Sequence, residues 1–285
     1  MKLIHHLAFR SATFFSRILI LTIVLTYSFL KRLGMRTIIG SGWVDFANSL
    51  PVIRKMPLSL KLFGYRYIIY VYEMPLCYFA FSGRYERCET ELISRLKPKV
   101  FIDVGAHIGY YTMLVHKLGA EKIIVIEPDP RVFRIFKRAV EANKLDNIVT
   151  INKAALDKSN VAVNLHLSTK SGHSSIFPSH LTKTHGGTIT VKTITLDDVC
   201  RSLSLNNIDM VKIDAEGAES YILSGANEII NRFRPLFLVE IKIQNQQDVF
   251  KFFKVKKYKG FGPFSYGENY LFMPEERDIA LEFYP

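Results

Sequence analysis

Residues 100–119, with the sequence VFIDVGAHIGYYTMLVHKLG, constrain the fold of this chain more than any other stretch. The run that ends at Val104 is apolar apart from one acid, which is typical of a strand buried on both faces of a parallel sheet. Gly105 and Gly109 then bracket a tight turn, and apolar residues at helical spacing follow as far as Gly119, a typical helix end. A strand, a glycine turn and a helix N-terminus in this order predict a site for a nucleotide-like ligand at the carboxyl edge of a sheet.

Two acidic residues indicate which ligand this site takes. Asp103 stands before Gly105, where a dinucleotide-binding GxGxxG turn has a glycine that admits a pyrophosphate. A carboxylate at that place repels a pyrophosphate but attracts an ammonium or a sulfonium group, and S-adenosylmethionine carries both. Glu127 ends the next apolar stretch, residues 123–126, where a carboxylate can accept hydrogen bonds from both ribose hydroxyls of an adenosine. The alternative is that both acids only cap turns.

Four motifs occur in order along the chain: DVGAHIGYYT from Asp103, IEPDP from Ile126, TLDD from Thr195 and KIDAEGAE from Lys212. With these motifs, the stretch from about residue 101 to residue 242 resembles the FkbM-type family of S-adenosylmethionine-dependent methyltransferases. The resemblance implies methyl transfer, usually to a hydroxyl of a sugar or a natural product. It does not imply which acceptor is methylated.

The predicted fold is α/β, a Rossmann-like class I methyltransferase fold with a mostly parallel seven-stranded sheet and helices on both faces. Residues 1–57 are predicted to form an apolar helix and a linker, and residues 58–98 a small β-rich cap and a lead-in helix. Residues 99–285 are predicted to form the catalytic domain. Within it, residues 161–167 and 188–194 alternate apolar and polar side chains, which indicates strands at an exposed sheet edge.

The turn geometry and the resemblance together assign cofactor contacts. Asp103 is expected to meet the methionine ammonium, directly or through water, and the backbone from Gly105 to Gly109 is expected to lie along the methionine. Glu127 is expected to hold the ribose. His107 replaces the asparagine that is more usual in the family, and either side chain can donate a hydrogen bond there.

Three residues outside the glycine turn are further candidates. Ala155 follows the third predicted strand, where this fold seats the adenine between small apolar groups, although a simple core role explains it equally well. Ser174 and Ser175 lie in a polar stretch, residues 168–187. The residues alone indicate a surface loop there, whereas the resemblance implies that a serine-containing segment contacts the acceptor. His173 in the same loop is expected to be solvated.

Methyl transfer from a sulfonium requires oxygen, methyl and sulfur in line, and a hydroxyl acceptor must also lose its proton. Asp214 ends the fourth predicted strand, and Glu216 follows it closely. We expect Glu216 to act as the acceptor-side base and Asp214 as a cofactor-side or positioning group. No metal is expected, the alternative being a divalent cation shared by these two carboxylates with Glu240. Glu219 is expected to form a salt bridge with Lys212 or to contact the sheet.

The net charge of +12 is concentrated at the N-terminus, where Asp45 is the only acid before Glu73. A basic, apolar N-terminus favours a membrane surface over nucleic acid, and the sequence contains no nucleic-acid-binding motif. Residues 12–30 are mostly apolar, and they are expected to anchor the chain or to form a docking helix, since Arg17 leaves an uninterrupted run that is short for crossing a bilayer. Scattered cysteines favour a reducing compartment, so a cytoplasmic protein, with or without membrane attachment, is expected.

Two other classes of function stay open at this point. An NAD-type oxidoreductase is disfavoured by Asp103 and by the missing GxGxxG turn. A catalytically silent protein of the same fold, acting as a membrane-docked partner, is disfavoured by the intact acids. The expected partner is therefore a small-molecule, glycan or lipid acceptor, and the sequence does not indicate an oligomeric state.

Overall fold

A computed structural model describes residues 54–55, 57–81, 85–169, 172–177, 185–264 and 267–277. The strands are Pro57–Leu62 (β1), Tyr65–Tyr70 (β2), Val100–Val104 (β3), Lys122–Ile126 (β4), Ile148–Ile151 (β5), Ala154–Ala155 (β6), Ala162–Ser168 (β7), His185–Ile194 (β8), Met210–Ile213 (β9), Leu236–Glu240 (β10), Tyr258–Phe261 (β11) and Asn269–Pro274 (β12). The α-helices are Arg87–Leu96 (α1), Tyr110–Lys117 (α2), Pro130–Asn143 (α3), Leu196–Ser202 (α4), Glu219–Ser224 (α5), Asn227–Phe233 (α6) and Gln246–Val255 (α7). Short 3-10 helices cover Val71–Leu76, Tyr78–Phe81 and Ile243–Asn245.

Seven strands form the central sheet in the order β11-β12-β10-β9-β3-β4-β5. β3, β4, β5, β9 and β10 run parallel, whereas β12 is antiparallel to both of its neighbours. The α/β class and the mostly parallel seven-stranded sheet are thus confirmed. The chain winds outward in one direction from β3 to β5 and in the other from β9, so the gap between the carboxyl ends of β3 and β9 is the place where such sheets bind ligands.

Helices cover both faces of the sheet because successive residues of each strand point to opposite sides. In β3, Phe101 packs into a core with side chains of α1, α2 and α3, whereas Ile102 packs into a second core with side chains of α4 to α7. Both residues are fully buried. Strands that are apolar on both faces were the signal for this arrangement.

The predicted cap contains a β-hairpin formed by β1 and β2, and β2 packs against α3. Its register pairs Pro57 with Tyr70. The hydroxyl of Tyr67, which is fully buried, donates to the Ile108 carbonyl at 2.7 Å, directly in the glycine turn. The hairpin ends at Tyr70, and a 3-10 helix begins directly after it at Val71.

The alternating stretches predicted as edge strands lie in a separate sheet. β7 and β8 pair antiparallel, and β6 pairs parallel with β8. These three strands form a sheet of their own and do not extend the central sheet. The predicted lead-in helix is α1, which begins at Arg87, directly after Glu86 with its left-handed backbone conformation (φ 37°).

In the part of the chain that the structure describes, no helix is both long enough and apolar enough to cross a bilayer. The predicted membrane contact, residues 12–30, lies outside the described residues. The domain boundaries after residues 57 and 98 stay predictions.

Gly105 brings the ends of β3 and β9 together. Its φ is +72°, and a Cβ on this residue would stand 1.7 Å from the carbonyl oxygen of Asp214. Any side chain would push β9 away from the turn. Gly109, with φ +80°, has a different reason to be glycine, since its Cβ would stand 2.3 Å from the ring of Phe136 in α3.

We predict that Gly105→Ala destabilises the fold by about 3 kcal/mol or more, because steric overlap adds to the left-handed backbone strain. The matched control is Gly119→Ala, at φ +86° with no atom within 4 Å, which carries only the backbone strain of about 1–2 kcal/mol. Urea denaturation of both variants measures the difference. Equal losses would show that the close approach to Asp214 contributes nothing.

Candidate active site

A cavity of about 440 Å³ lies at the carboxyl ends of β3, β4, β9 and β10. All the predicted site residues except Gly109 line it: Asp103, Gly105, His107, Glu127, Ala155, Ser174, Ser175, Asp214 and Glu216. Residues from the lead-in segment, including Tyr85 and Glu86, form one further wall. The site therefore combines strand ends, the loop after β7 and the segment before α1.

Asp103 faces the first turn of α2. Its Oδ2 accepts hydrogen bonds from the Thr112 hydroxyl at 2.6 Å and from the Thr112 amide at 3.2 Å. Burial raises its pKa to about 6, although the bonds from Thr112 and the charge of Lys212 act in the opposite direction. The carboxylate is thus fixed in orientation before any ligand arrives.

Glu127 is buried at the tip of β4 and closes the glycine turn. Its two carboxylate oxygens accept from the backbone amides of His107 and Asp129, each at 2.8 Å. Burial raises its pKa to about 8, and the neighbouring charge of Asp129 raises it further while the two amides lower it. Each oxygen keeps lone pairs free toward the cavity, which suits a ligand that donates hydroxyl protons.

His107 contributes its backbone more clearly than its ring. It has a positive φ of 56°, and its amide is the donor to Glu127. Burial lowers the pKa of its imidazole, so the ring is neutral at neutral pH. A neutral ring can donate from only one nitrogen.

Ser174 connects the loop after β7 to the segment that follows β4. Its hydroxyl donates to Asp129 at 2.8 Å and accepts from Arg131 at 3.3 Å. Burial would raise the pKa of Asp129, but the hydrogen bonds and charge of Arg131 bring it below its usual value. Arg131 also donates to the Ser168 carbonyl at 2.8 Å. The predicted acceptor contact is therefore engaged in holding the loop beside Glu127.

Ser175 fixes the other end of this loop. Its hydroxyl donates to the backbone carbonyl of Glu216 at 2.8 Å and accepts from the Phe177 amide at 3.0 Å. The backbone of Ser175 also pairs with that of His166. Glu216 itself has a positive φ of 49°, a strained conformation that this contact helps to hold.

The Glu216 carboxylate points into the cavity between two basic side chains. Its Oε1 lies 3.2 Å from His173 Nδ1, and its Oε2 lies 3.9 Å from Lys242 Nζ. His173 is thus hydrogen-bonded and only one-third exposed, at 33%, rather than a solvated loop residue as expected. Lys242 also contacts Glu240 at 2.5 Å and Glu268 at 2.8 Å, and these acids raise its pKa although burial alone would lower it.

A buried ion cluster that the sequence did not reveal surrounds Lys212. Its ammonium lies 3.1 Å from Asp214 Oδ2 and 5.4 Å from the ring centre of Tyr111. Burial alone would lower the pKa of Lys212, but Asp214, Glu86, Glu240 and Asp103 raise it. The ammonium therefore stays charged and does not act as a base.

Two of these acids are held with raised pKa values. Glu86 accepts from the Tyr111 hydroxyl, and burial raises its pKa. Burial, followed by the charge of Asp214, raises the pKa of Glu240 to about 8. The only sequence signal for the cluster was the alternation that directs Lys212 and Asp214 to the same side of β9.

Glu219 does not contact Lys212. Its Oε1 accepts from the amides of Ala215 and Gly217, and its Oε2 accepts from the Asn245 side chain at 3.1 Å. The predicted salt bridge is wrong, because Glu219 is used to close the turn after β9.

Comparison with known proteins places this site in context. Residues 103–271 of this chain match the family described as the methyltransferase FkbM domain. The 2-O-methyltransferase NoeI of Sinorhizobium fredii is 26% identical over 170 residues, which are 55% of this chain and 68% of that protein.

Two solved structures show similarity at lower identity. Methyltransferase FkbM from Methylobacillus flagellatus is 17% identical, with a TM-score of 0.45, over 70% of this chain and 56% of that chain. The O-methyltransferase from Bacillus cereus, solved in complex with SAH, is 12% identical, with a TM-score of 0.39, over 64% of this chain and 76% of that chain. This chain thus spans little more than half the length of the Methylobacillus protein.

Three acids with raised pKa values make the free energy of unfolding depend on pH. Asp103, with a pKa of about 6, and Glu127 and Glu240, with pKa values of about 8, keep protons in the folded state that the unfolded chain has already released. Their contribution to folding is complete below the unfolded pKa values and is lost as the pH rises through the folded ones. We predict that the free energy of unfolding falls between about pH 5 and pH 8, by up to about 1.4 kcal/mol per pH unit for each group.

Urea denaturation at pH 5, 6, 7 and 8 measures this slope, and Glu127→Gln, which cannot ionise, is expected to flatten it. A free energy of unfolding that rises over this interval would contradict the assigned directions.

Proposed function

This chain belongs to the FkbM methyltransferase family, and on that basis we propose that it transfers the methyl group of S-adenosylmethionine to a hydroxyl of a sugar, a glycolipid or another small polyhydroxylated acceptor. Methyl transfer follows from the family. The donor, the oxygen atom and the acceptor class are our proposal. The observation that carries it is that Asp103, Glu127 and Asp214, three acids from three parallel strand ends, line one cavity.

The donor fits the half of the cavity between β3 and β4. Glu127 would accept from the ribose hydroxyls, and Ala155, which is buried against the same cavity, would contact the adenine. The backbone of Gly105 would run along the methionine. Asp103 would attract the ammonium from a distance, since Thr112 already occupies its Oδ2.

Glu216 is the group we assign as acceptor-side base. It lies on the loop that follows β9 and lines the same cavity as Glu127, which ends β4. Its carboxylate is held in place by a hydrogen bond with His173 and an ion pair with Lys242. An ionised carboxylate there can take the proton that a hydroxyl loses as its oxygen attacks the methyl carbon.

The charges at the acceptor side favour a neutral substrate. At this end of the cavity Lys242 is surrounded by three acids, Glu216, Glu240 and Glu268. Phosphate groups would be repelled there, which argues against a nucleic acid and against other anionic acceptors. The Sinorhizobium relative is named a 2-O-methyltransferase, which supports oxygen as the methylated atom. We retain a cytoplasmic location with membrane contact through residues 12–30 as part of the proposal.

Donor binding and turnover are predicted to separate by mutation. Glu127→Ala removes the acceptors of the ribose hydroxyls and should raise the Kd for S-adenosylhomocysteine at least about tenfold, since two lost hydrogen bonds contribute about 0.5–1.5 kcal/mol each. Glu216→Gln should leave that Kd within about twofold but lower kcat by about 10²–10⁴-fold.

Calorimetric titration gives the Kd, and release of labelled methyl onto oligosaccharide and glycolipid acceptors gives kcat. Glu121→Gln, an exposed acid far from the cavity, is the control for loss of charge alone. Full turnover by Glu216→Gln would show that another group takes the proton.

Donor identity is tested independently of any acceptor. S-adenosylhomocysteine at about 100 times its Kd should stabilise the chain by about 2.7 kcal/mol and raise Tm by several degrees, whereas NAD at the same concentration should not. Stabilisation by NAD alone would overturn the proposed donor.

A further inference from the structure

One face of the central sheet carries a group of polar side chains at the carboxyl ends of β3, β9 and β10. In the strand register, Asp103 is opposite Lys212, Val239 is opposite Ile213, and Glu240 is opposite Asn269. Because residues opposite each other, and residues two apart on one strand, share a face, Asp103, Lys212, Asp214, Glu240 and Asn269 all lie on the same side. That side faces the cavity rather than the solvent, since all five line it.

Three carboxylates converge at one point of this group. Glu86, from the turn before α1, lies over the sheet so that one carboxylate oxygen from each of Glu86, Asp214 and Glu240 is within 4.8 Å of the other two. Oxygen atoms of three acids at this spacing repel one another strongly unless a cation or shared protons lie between them.

Asn269 adds an independent observation. Its side chain is buried, with 2% of its surface exposed, and no hydrogen-bond donor among the described residues contacts its Oδ1. A buried amide oxygen without a donor is costly, at about 1–3 kcal/mol, so it normally has a partner. This oxygen belongs to the cross-strand neighbour of Glu240 and lines the same cavity.

We propose that Glu86, Asp214, Glu240 and the Asn269 Oδ1 form a binding site for one divalent cation of the Mg²⁺ or Mn²⁺ type. All four ligand atoms are oxygens, which such hard cations prefer, and the remaining coordination positions would hold water or acceptor hydroxyls. The ion replaces the missing donor of Asn269.

Negative charge exceeds positive charge around this point. Glu86, Asp214 and Glu240, when ionised, carry three negative charges, whereas Lys212 is paired with Asp214 and Lys242, which contacts Glu240, is shared with Glu216 and Glu268. A divalent cation would offset this excess of negative charge.

The ligand set differs from the alternative that the sequence allowed, which included Glu216. The group of converging carboxylates contains Glu86, which comes from outside the family motifs, in place of Glu216. The site therefore revises the expectation of no metal. If the proposed methyl transfer holds, a cation here would bind the acceptor hydroxyl and make it easier to deprotonate.

The test is a titration of the purified chain with Mn²⁺ alone, in the absence of donor and acceptor. Electron paramagnetic resonance measures the concentration of free Mn²⁺ at each step, and the difference from the total gives the bound ion. We expect one saturable site per chain. Glu240→Gln and Asn269→Leu should each weaken Mn²⁺ binding at least about tenfold, the usual range for losing even an indirect metal contact. Glu268→Gln, an acid bound to Lys242 but outside the cluster, should change it less than about twofold.

A second variant keeps the test decisive if Glu240→Gln folds poorly. Asn269→Asp adds a fourth carboxylate and should strengthen Mn²⁺ binding while lowering Tm in EDTA, where the added charge is uncompensated. Absence of saturable binding on the order of 1 mM Mn²⁺ would overturn the site, as would unchanged affinity in Glu240→Gln and Asn269→Leu.

The outcome is separable from that of the proposed function. Binding of S-adenosylhomocysteine with full methyl transfer in EDTA, but no Mn²⁺ binding, would remove the metal site and leave the function. Mn²⁺ binding without any stabilisation by S-adenosylhomocysteine would support the metal site and contradict the proposed donor.

Discussion

The interaction on which this site depends is the salt bridge between Lys212 and Asp214, buried at the end of β9. Removing two charges from water costs several kcal/mol for each ion, and the pair recovers that cost only with further partners. Those partners are Glu86, held by Tyr111, together with Glu240 and Asp103. Because the pair and its partners come from a lead-in turn and from the three strands β3, β9 and β10, the site requires these strands to be correctly paired.

The loop after β7 is fastened to both halves of the cavity. Ser174 joins it to Asp129 on the β4 side, and Ser175 joins it to Glu216 on the β9 side. The two serines thus link the expected donor end to the expected acceptor end. A pair of neighbouring residues gives this loop its position, which explains why a polar stretch far from the glycine turn in sequence is part of the same site.

Sequence patterns predicted those features that depend on one strand or one turn. Asp103, Glu127 and Asp214 each end an apolar run, so their common edge followed from the parallel sheet alone. Gly109 was assigned to the ligand, yet it is required by packing on Phe136, a contact 27 positions away that no local pattern encodes. For the same reason the roles of Lys212, Glu86 and His173 could not be predicted from the sequence, because these roles arise from contacts with residues on other elements.

The segment before the parallel sheet has a consequence for how the domain is delimited. Leu76, Ala80, Tyr85 and Glu86 all line the cavity, although the family match begins at residue 103. A fragment cut at residue 99 would retain every strand of the central sheet and still have an open side where these four residues stood. Transplanting the catalytic unit into another protein therefore requires the hairpin and the turn that follows it, because the binding site straddles the border that the motifs suggest.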